Sequence, residues 1–107
     1  MGMWVVHDHY GNMIYLTEER WQHILESRLE LEVYFDQFLK TLRAGQRKQD
    51  ALMPTKYRYS KQFDELLPRN THLVLMVLFQ TQQDTQGKDV PNNFVVTGWA
   101  TYIQPKG

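Results

Sequence analysis

The residues best placed to do chemistry stand in "LTEERWQHILESRLEL", residues 16–31. A histidine gains or loses a proton near neutral pH, and His23 is such a group. Arg20 is permanently charged and grips phosphate oxygens through two donors. On a helix the two lie one turn apart, close enough to act on the same phosphodiester. The same spacing also describes a half-exposed helix face. A second cluster, "KYRYSK" at residues 56–61, interleaves Tyr57 and Tyr59 with Lys56, Arg58 and Lys61. Tyrosines stack on bases while cations meet phosphates. An edge strand with one packed and one solvated face has the same composition.

Other candidates are weaker. His7 and His9, two apart, share a strand face and could ligate a metal, but no third ligand stands at a fixed spacing. No metal and no cofactor is expected. His72 opens an apolar run and reads as a boundary residue. Thr97, near Trp99, fits strand packing as well as a hydroxyl role. There is no glycine-rich phosphate loop, nucleophile elbow or HExxH motif. The carboxylates show no spacing that marks a catalytic pair.

These residues need a scaffold, and the chain can supply one. Its 107 residues, 42% hydrophobic and 13% aromatic, predict a single folded domain over 1–107. Twelve basic and twelve acidic residues cancel, so binding to nucleic acid requires a local patch. The absence of cysteine removes disulfides, thiolate metal sites and cysteine nucleophiles. No apolar run reaches the roughly 20 residues of a membrane span, and the N-terminus lacks a signal-peptide pattern. A cytoplasmic protein with no membrane partner is the expectation.

The elements follow from local patterns. "WVVHDHYGNMIYL" predicts a small N-terminal hairpin turning at Gly11 and Asn12. Thr17 reads as a helix N-cap, followed by Glu18 and Glu19 where the dipole favours negative charge. Leu16 and Trp21 have the spacing of a hydrophobic staple. Trp21, Ile24 and Leu25 form the apolar stripe, and Arg20, His23 and Ser27 a polar one. Helical spacing resumes through Leu31, Tyr34, Phe35, Phe38, Leu39 and Leu42, with Gly45 as a C-terminal cap. Neither Gly nor Pro interrupts residues 17–44, so one long helix is permitted.

Beyond "GQRKQDALMP", "TKYRYSKQF" alternates as a strand, and "DELLPRNT" is a turn containing Pro68. "HLVLMVLFQ" predicts a central strand covered on both faces, antiparallel over 71–81 to 93–103. "TQQDTQGKDVPNN" reads as a mobile hairpin tip. "FVVTGWATYI" is the last strand, with Val95, Thr97, Trp99 and Thr101 on one face. Gly98 marks a bulge or a close approach. The fold class is α+β: two N-terminal helices, or one long bent helix, on an antiparallel sheet of three to four strands beside a small hairpin.

"LTEERWQHIL", "YFDQFLKTL", "YRYSK", "HLVLMVLF" and "FVVTGWATY" occur in an order that resembles the phage-associated branch of the barnase–EndoU–colicin–RelE-like (BECR) nucleases. The resemblance spans nearly all of the chain from Tyr15 onward. It implies helices before a four-stranded antiparallel sheet and metal-independent cleavage of RNA through its 2′-hydroxyl. It implies catalytic positions at Arg20, His23 and Thr97, with substrate held by Arg28, Arg58, Tyr59 and Lys61. Where the family pattern reads "HILERHPEL", this chain has "HILESRLEL", so Arg28 and Leu29 replace a histidine and a proline; the resemblance implies a bend near Arg28 to Glu30 even so. Its "VTAY" is "VTGW" here. The partners implied are RNA or a protein, antitoxin-like or of phage origin. A second reading is a catalytically inactive relative that binds nucleic acid or protein.

Overall fold

The computed structural model describes residues 2–66 and 69–105. Two short strands open the chain, β1 (Met3–His7) and β2 (Met13–Thr17). They pair antiparallel, and Gly11 takes φ 88 in the turn between them. Helix α1 (Glu18–Ser27) follows without a linker. The Thr17 hydroxyl accepts from the Arg20 amide at 3.1 Å, as an N-cap does. Leu16 and Trp21 are both buried, as the staple predicts.

The helix ends at Arg28, whose φ −141 and ψ 67 are not helical. The chain resumes as a 3₁₀ segment, Leu29–Tyr34, and then as α2 (Phe35–Ala44). The implied bend near Arg28 to Glu30 is thus present without the proline. A straight helix would carry its apolar stripe past the sheet; the 3₁₀ turn instead buries Leu31 and Tyr34 and leaves Leu29 and Val33 in solvent. Trp21, Phe35 and Phe38 meet with ring centroids 4.9 Å apart in each pair joining Trp21 to a phenylalanine, locking the helices together.

Six further strands follow: β3 (Gln46–Gln49), β4 (Lys56–Gln62), β5 (His72–Leu78), β6 (Thr81–Gln83), β7 (Asp89–Pro91) and β8 (Asn93–Thr101). Among the described residues the main sheet has six strands in the order β1-β2-β8-β5-β4-β3. The α+β class is as expected, and β5 is central and antiparallel to β8. The sheet itself corrects the expectation of three or four antiparallel strands: β2 runs parallel to β8, through Ile14↔Asn93 and Tyr15↔Phe94. A two-stranded hairpin is marginal alone, and joining the sheet gives it a partner. Asn93 strengthens the seam, its side-chain amide donating to the Met13 carbonyl at 3.1 Å. At the other edge β3 falls in "GQRKQDALMP", a segment to which the sequence pattern assigns no element. The polar tip became a β6–β7 ribbon, closed by Asp84 accepting from the amides of Gln86 and Lys88. The expected turn at Pro68 lies outside the described residues.

Two facial assignments also change. A register shift between Met76 and Val77 leaves Val96 without a partner, so the alternation of β8 reverses there. Val95 and Gly98 face the helices; Thr97, Trp99 and Thr101 face away. Strand β5 is covered by helices on one face only. On the other, Val74 is shielded within its row by Ser60 and Trp99. Phe38 packs on the helix side so closely that a Cβ at Gly98 would stand 2.6 Å from its ring.

The sheet curls around α2. Residues of the β1–β2 turn reach β3 and β4, although the strand order sets these at opposite edges. His9 Nε2 donates to the Gly45 carbonyl at 2.9 Å, Tyr59 donates its phenolic hydrogen to Asp8, and the Arg47 amide donates to the Tyr10 hydroxyl at 3.3 Å.

Candidate nucleic-acid interface

The strand residues that point away from the helices form the uncovered face of the sheet. Register places them in rows: Lys48, Arg58, Met76 and Thr97; Gln46, Ser60, Val74 and Trp99; Lys56, Leu78, Phe94, Tyr15 and Val5. Among the described residues, no strand contributes a carboxylate to this face. The acidic side chains gather instead on the helical layer, at Glu18, Glu19, Glu26, Glu30, Glu32 and Asp36, and in loops. Asp50 stands at the rim beside Lys48 and Arg58, but turns into its own loop and accepts from the amides of Leu52 and Met53. Those amide bonds hold its carboxyl below the usual range, with Lys56 and Arg58 adding to the effect. The face therefore offers cations, hydroxyls and three half-buried aromatic rings, Tyr15, Phe94 and Trp99.

At one end of this face the β2–β8 ladder stops at Tyr15↔Phe94. Beyond that rung lies a cavity of about 400 Å³ walled by Met3, Tyr15, Thr17, Phe94 and Val95. Arg20 lines it from the first turn of α1, and Gln82 and Asn92 line it from the ribbon side. A second concavity, about 310 Å³, adjoins it through the shared Thr17 and Arg20 and adds Glu19 and His23. His23 is open to water, its side chain 69% exposed, with Nδ1 3.5 Å from the Glu26 carboxylate.

The residues singled out in the sequence are thus divided. Arg20 and His23 share a concavity. Thr97 and Arg58 share a row on the uncovered face, with Lys48 beside Arg58. Tyr59 and Lys61 pair with Leu75 and Leu73, on the helix side. Arg28 is half-buried at the α1 bend. The shared site that the resemblance implies for Arg20, His23 and Thr97 with Tyr59 or Lys61 does not form one concavity. The parity of β4 explains part of this: Arg58 and Tyr59 are adjacent, so they must face opposite ways.

Tyr59 has a structural partner instead. Its phenol donates to Asp8, which also accepts from the amides of Tyr10 and Asn12 at 3.0 and 2.8 Å and from the Asn12 side chain at 3.2 Å. Burial alone would raise the Asp8 carboxyl; these donors, Tyr59 first, more than offset it and hold the group below its ordinary value. Burial pushes the Tyr59 phenol well up, and Asp8 reinforces the shift. Nearby, the Arg47 guanidinium lies over the rings of Tyr10 and Tyr57 at 4.4 and 4.6 Å. His7 and His9 do not act together: His9 is tied to Gly45, and among the described residues no group of three or more His, Cys, Asp or Glu could hold a metal ion.

The residues that sequence reasoning missed are Tyr15, Phe94, Gln82, Asn92 and Lys48. Alternation in "MIYLT" and "NFVVT" marks the first two as strand residues, but only the parallel pairing puts them side by side. Among the described residues, no helix is long and apolar enough to cross a membrane. No protein-family model, curated protein or solved structure matches this chain.

Proposed function

We propose that this domain binds single-stranded nucleic acid, RNA by its resemblance to the BECR nucleases, along the uncovered face of the sheet. The observation that carries the reading is the segregation of charge. A chain of zero net charge has no carboxylate on the described strands of its main sheet, and on the uncovered face Lys48, Lys56 and Arg58 stand among Tyr15, Phe94 and Trp99. Cations on such a surface neutralise a phosphate backbone, and exposed rings stack on bases that a duplex keeps paired. A strand-lined platform with aromatic rings suits unpaired bases rather than an A-form helix. The test is fluorescence anisotropy with a labelled short RNA, offered single-stranded, as a duplex and as the DNA counterpart. The single strand binds preferentially, and Lys48→Gln with Arg58→Gln weakens it. Equal affinity for duplex and single strand, or no effect of the double variant, overturns the reading.

A second reading, cleavage of the bound RNA, is favoured by the concavity that sets Glu19 and His23 about Arg20. Cleavage through the 2′-hydroxyl needs a base, an acid and positive charge near the phosphorus. A carboxylate and an imidazole supply the first two, and the guanidinium the third. Thr97 is outside this concavity, so the reading rests on the helix residues. RNA hydrolysis in excess chelator decides it. An active enzyme loses about 10²–10⁴-fold in rate on His23→Ala, whereas equal background from both proteins leaves binding alone.

A further inference from the structure

The cavity at the end of the β2–β8 ladder has a physical origin that suggests its occupant. Parallel pairing ends at Tyr15↔Phe94, and β8 then bulges at Val96. The chain of β2 meanwhile turns into α1 at Thr17. The two backbones lose their pairing, and a wedge remains that the sheet cannot fill. Its walls are apolar and aromatic. Its polar groups sit at the edges: the Arg20 guanidinium at the start of the helix, and the side-chain amides of Gln82 and Asn92 opposite.

We propose that this wedge holds one nucleotide of the bound strand, its base against Tyr15 and Phe94 and its phosphate on Arg20. The proposal rests on the single-strand reading and narrows it to a site. A volume of about 400 Å³ is in the range of small-ligand pockets. The ligand must be aromatic and flat to use the two rings, and anionic to use the arginine. Arg20 stands in the first turn of α1, where the helix dipole adds positive potential and the neighbouring Glu18 and Glu19 oppose it, so the phosphate depends on the guanidinium itself. The guanidinium offers two parallel donors to phosphate oxygens. Each amide of Gln82 and Asn92 presents a donor and an acceptor, the pair a base edge requires.

The full chain is titrated with adenosine 5′-monophosphate, adenosine and inorganic phosphate, followed by NMR shifts of the Phe94 ring and the Met3 methyl. The monophosphate saturates the site about tenfold or more tightly than adenosine or phosphate alone, because only it engages both rings and arginine. Phe94→Leu keeps an apolar wall and removes a stacking surface, and lowers monophosphate affinity by about tenfold. Arg20→Gln reduces the monophosphate to the affinity of adenosine. Urea midpoints of both variants confirm that each is folded. Inorganic phosphate binding as tightly as the monophosphate overturns the nucleotide site. So does an oligonucleotide affinity that falls with Lys48→Gln and Arg58→Gln yet ignores Phe94→Leu, and in that case the face reading stands. Saturation by the monophosphate with no binding of a short single strand overturns the face reading and, with it, the placing of a strand nucleotide in the wedge.

Discussion

Replacing Asp8 by asparagine removes the one buried charge among the described residues, at the closed end of the curled sheet. Its carboxylate collects four hydrogen bonds, from Tyr10, Asn12 twice and Tyr59. An amide in its place turns an NH₂ toward groups that are themselves donors. Asp8→Asn should cost about 2–3 kcal/mol in urea unfolding, the scale of hydrogen bonds to charged groups. Tyr59→Phe should cost somewhat less, since Asp8 keeps its other donors. The pH dependence follows from the direction of the shift. Asp8 has a folded value below its ordinary 3.8, so its contribution is complete above that value and disappears as pH falls through the lower one. His72 acts at higher pH. Burial lowers it, so the unfolded chain takes the proton first, and stability declines as pH drops below the ordinary 6.5. Unfolding free energy measured from neutral pH down to about pH 4 should fall, and His72→Gln should flatten the upper part of that fall. Gly98 gives a purely steric case. Ala at this position would place its Cβ 2.6 Å from the fully buried Phe38 ring and 3.3 Å from Leu75 Cγ. The overpacking should lower stability by about 1–3 kcal/mol.

The elements were legible in the sequence wherever their cause was local. Thr17 and the glutamates after it announce a helix start, and the unbroken apolar run 73–79 announces a central strand. The bend at Arg28 has no proline or glycine to signal it. It arises because Leu31 and Tyr34 must reach the same core as Trp21, and helical periodicity alone does not reveal that demand. Strand β3 is invisible for a different reason: "QRKQ" is an edge strand held by β4 on one side, with three of its residues exposed and little apolar pattern. The candidate interface was half legible. Arg58 and Thr97 were named without the bulge at Val96 that puts them on one face. Phe94 was not named, since its partner Tyr15 lies far away in the chain. That non-local seam is also the place where the fold should open first. It has two rungs and the Asn93 side-chain bond. Asn93→Ala should accelerate amide hydrogen exchange in Met3–Thr17 while β4, β5 and β8 keep their protection. Uniform acceleration across all strands would mean that the hairpin opens only with the whole domain.

At the scale of the whole molecule, charge is balanced in total; the described strands of the main sheet carry cations without carboxylates, and the helical layer carries both signs. A neutral chain has no long-range pull on a polyanion, so any affinity must come from the cations at the contact. This makes the location of a charge separable from its sign. Lys48 and Arg58 stand in one row of the uncovered face; Lys40 and Arg43 are exposed on α2, across the sheet. Neutralising either pair with glutamine changes the net charge equally. If the sheet face holds the strand, only the first pair matters. Each phosphate contact contributes about −0.7 to the slope of log affinity against log salt for a single strand. Lys48, Lys56, Arg58 and Arg20 together predict a slope of roughly −2 to −3. Lys48→Gln with Arg58→Gln should flatten it by about 1.4, and Lys40→Gln with Arg43→Gln should leave it unchanged. Anisotropy titrations across a salt series measure both. Equal flattening by the two pairs would mean that the strand follows no particular face, and the charge separation would then serve only solubility and folding.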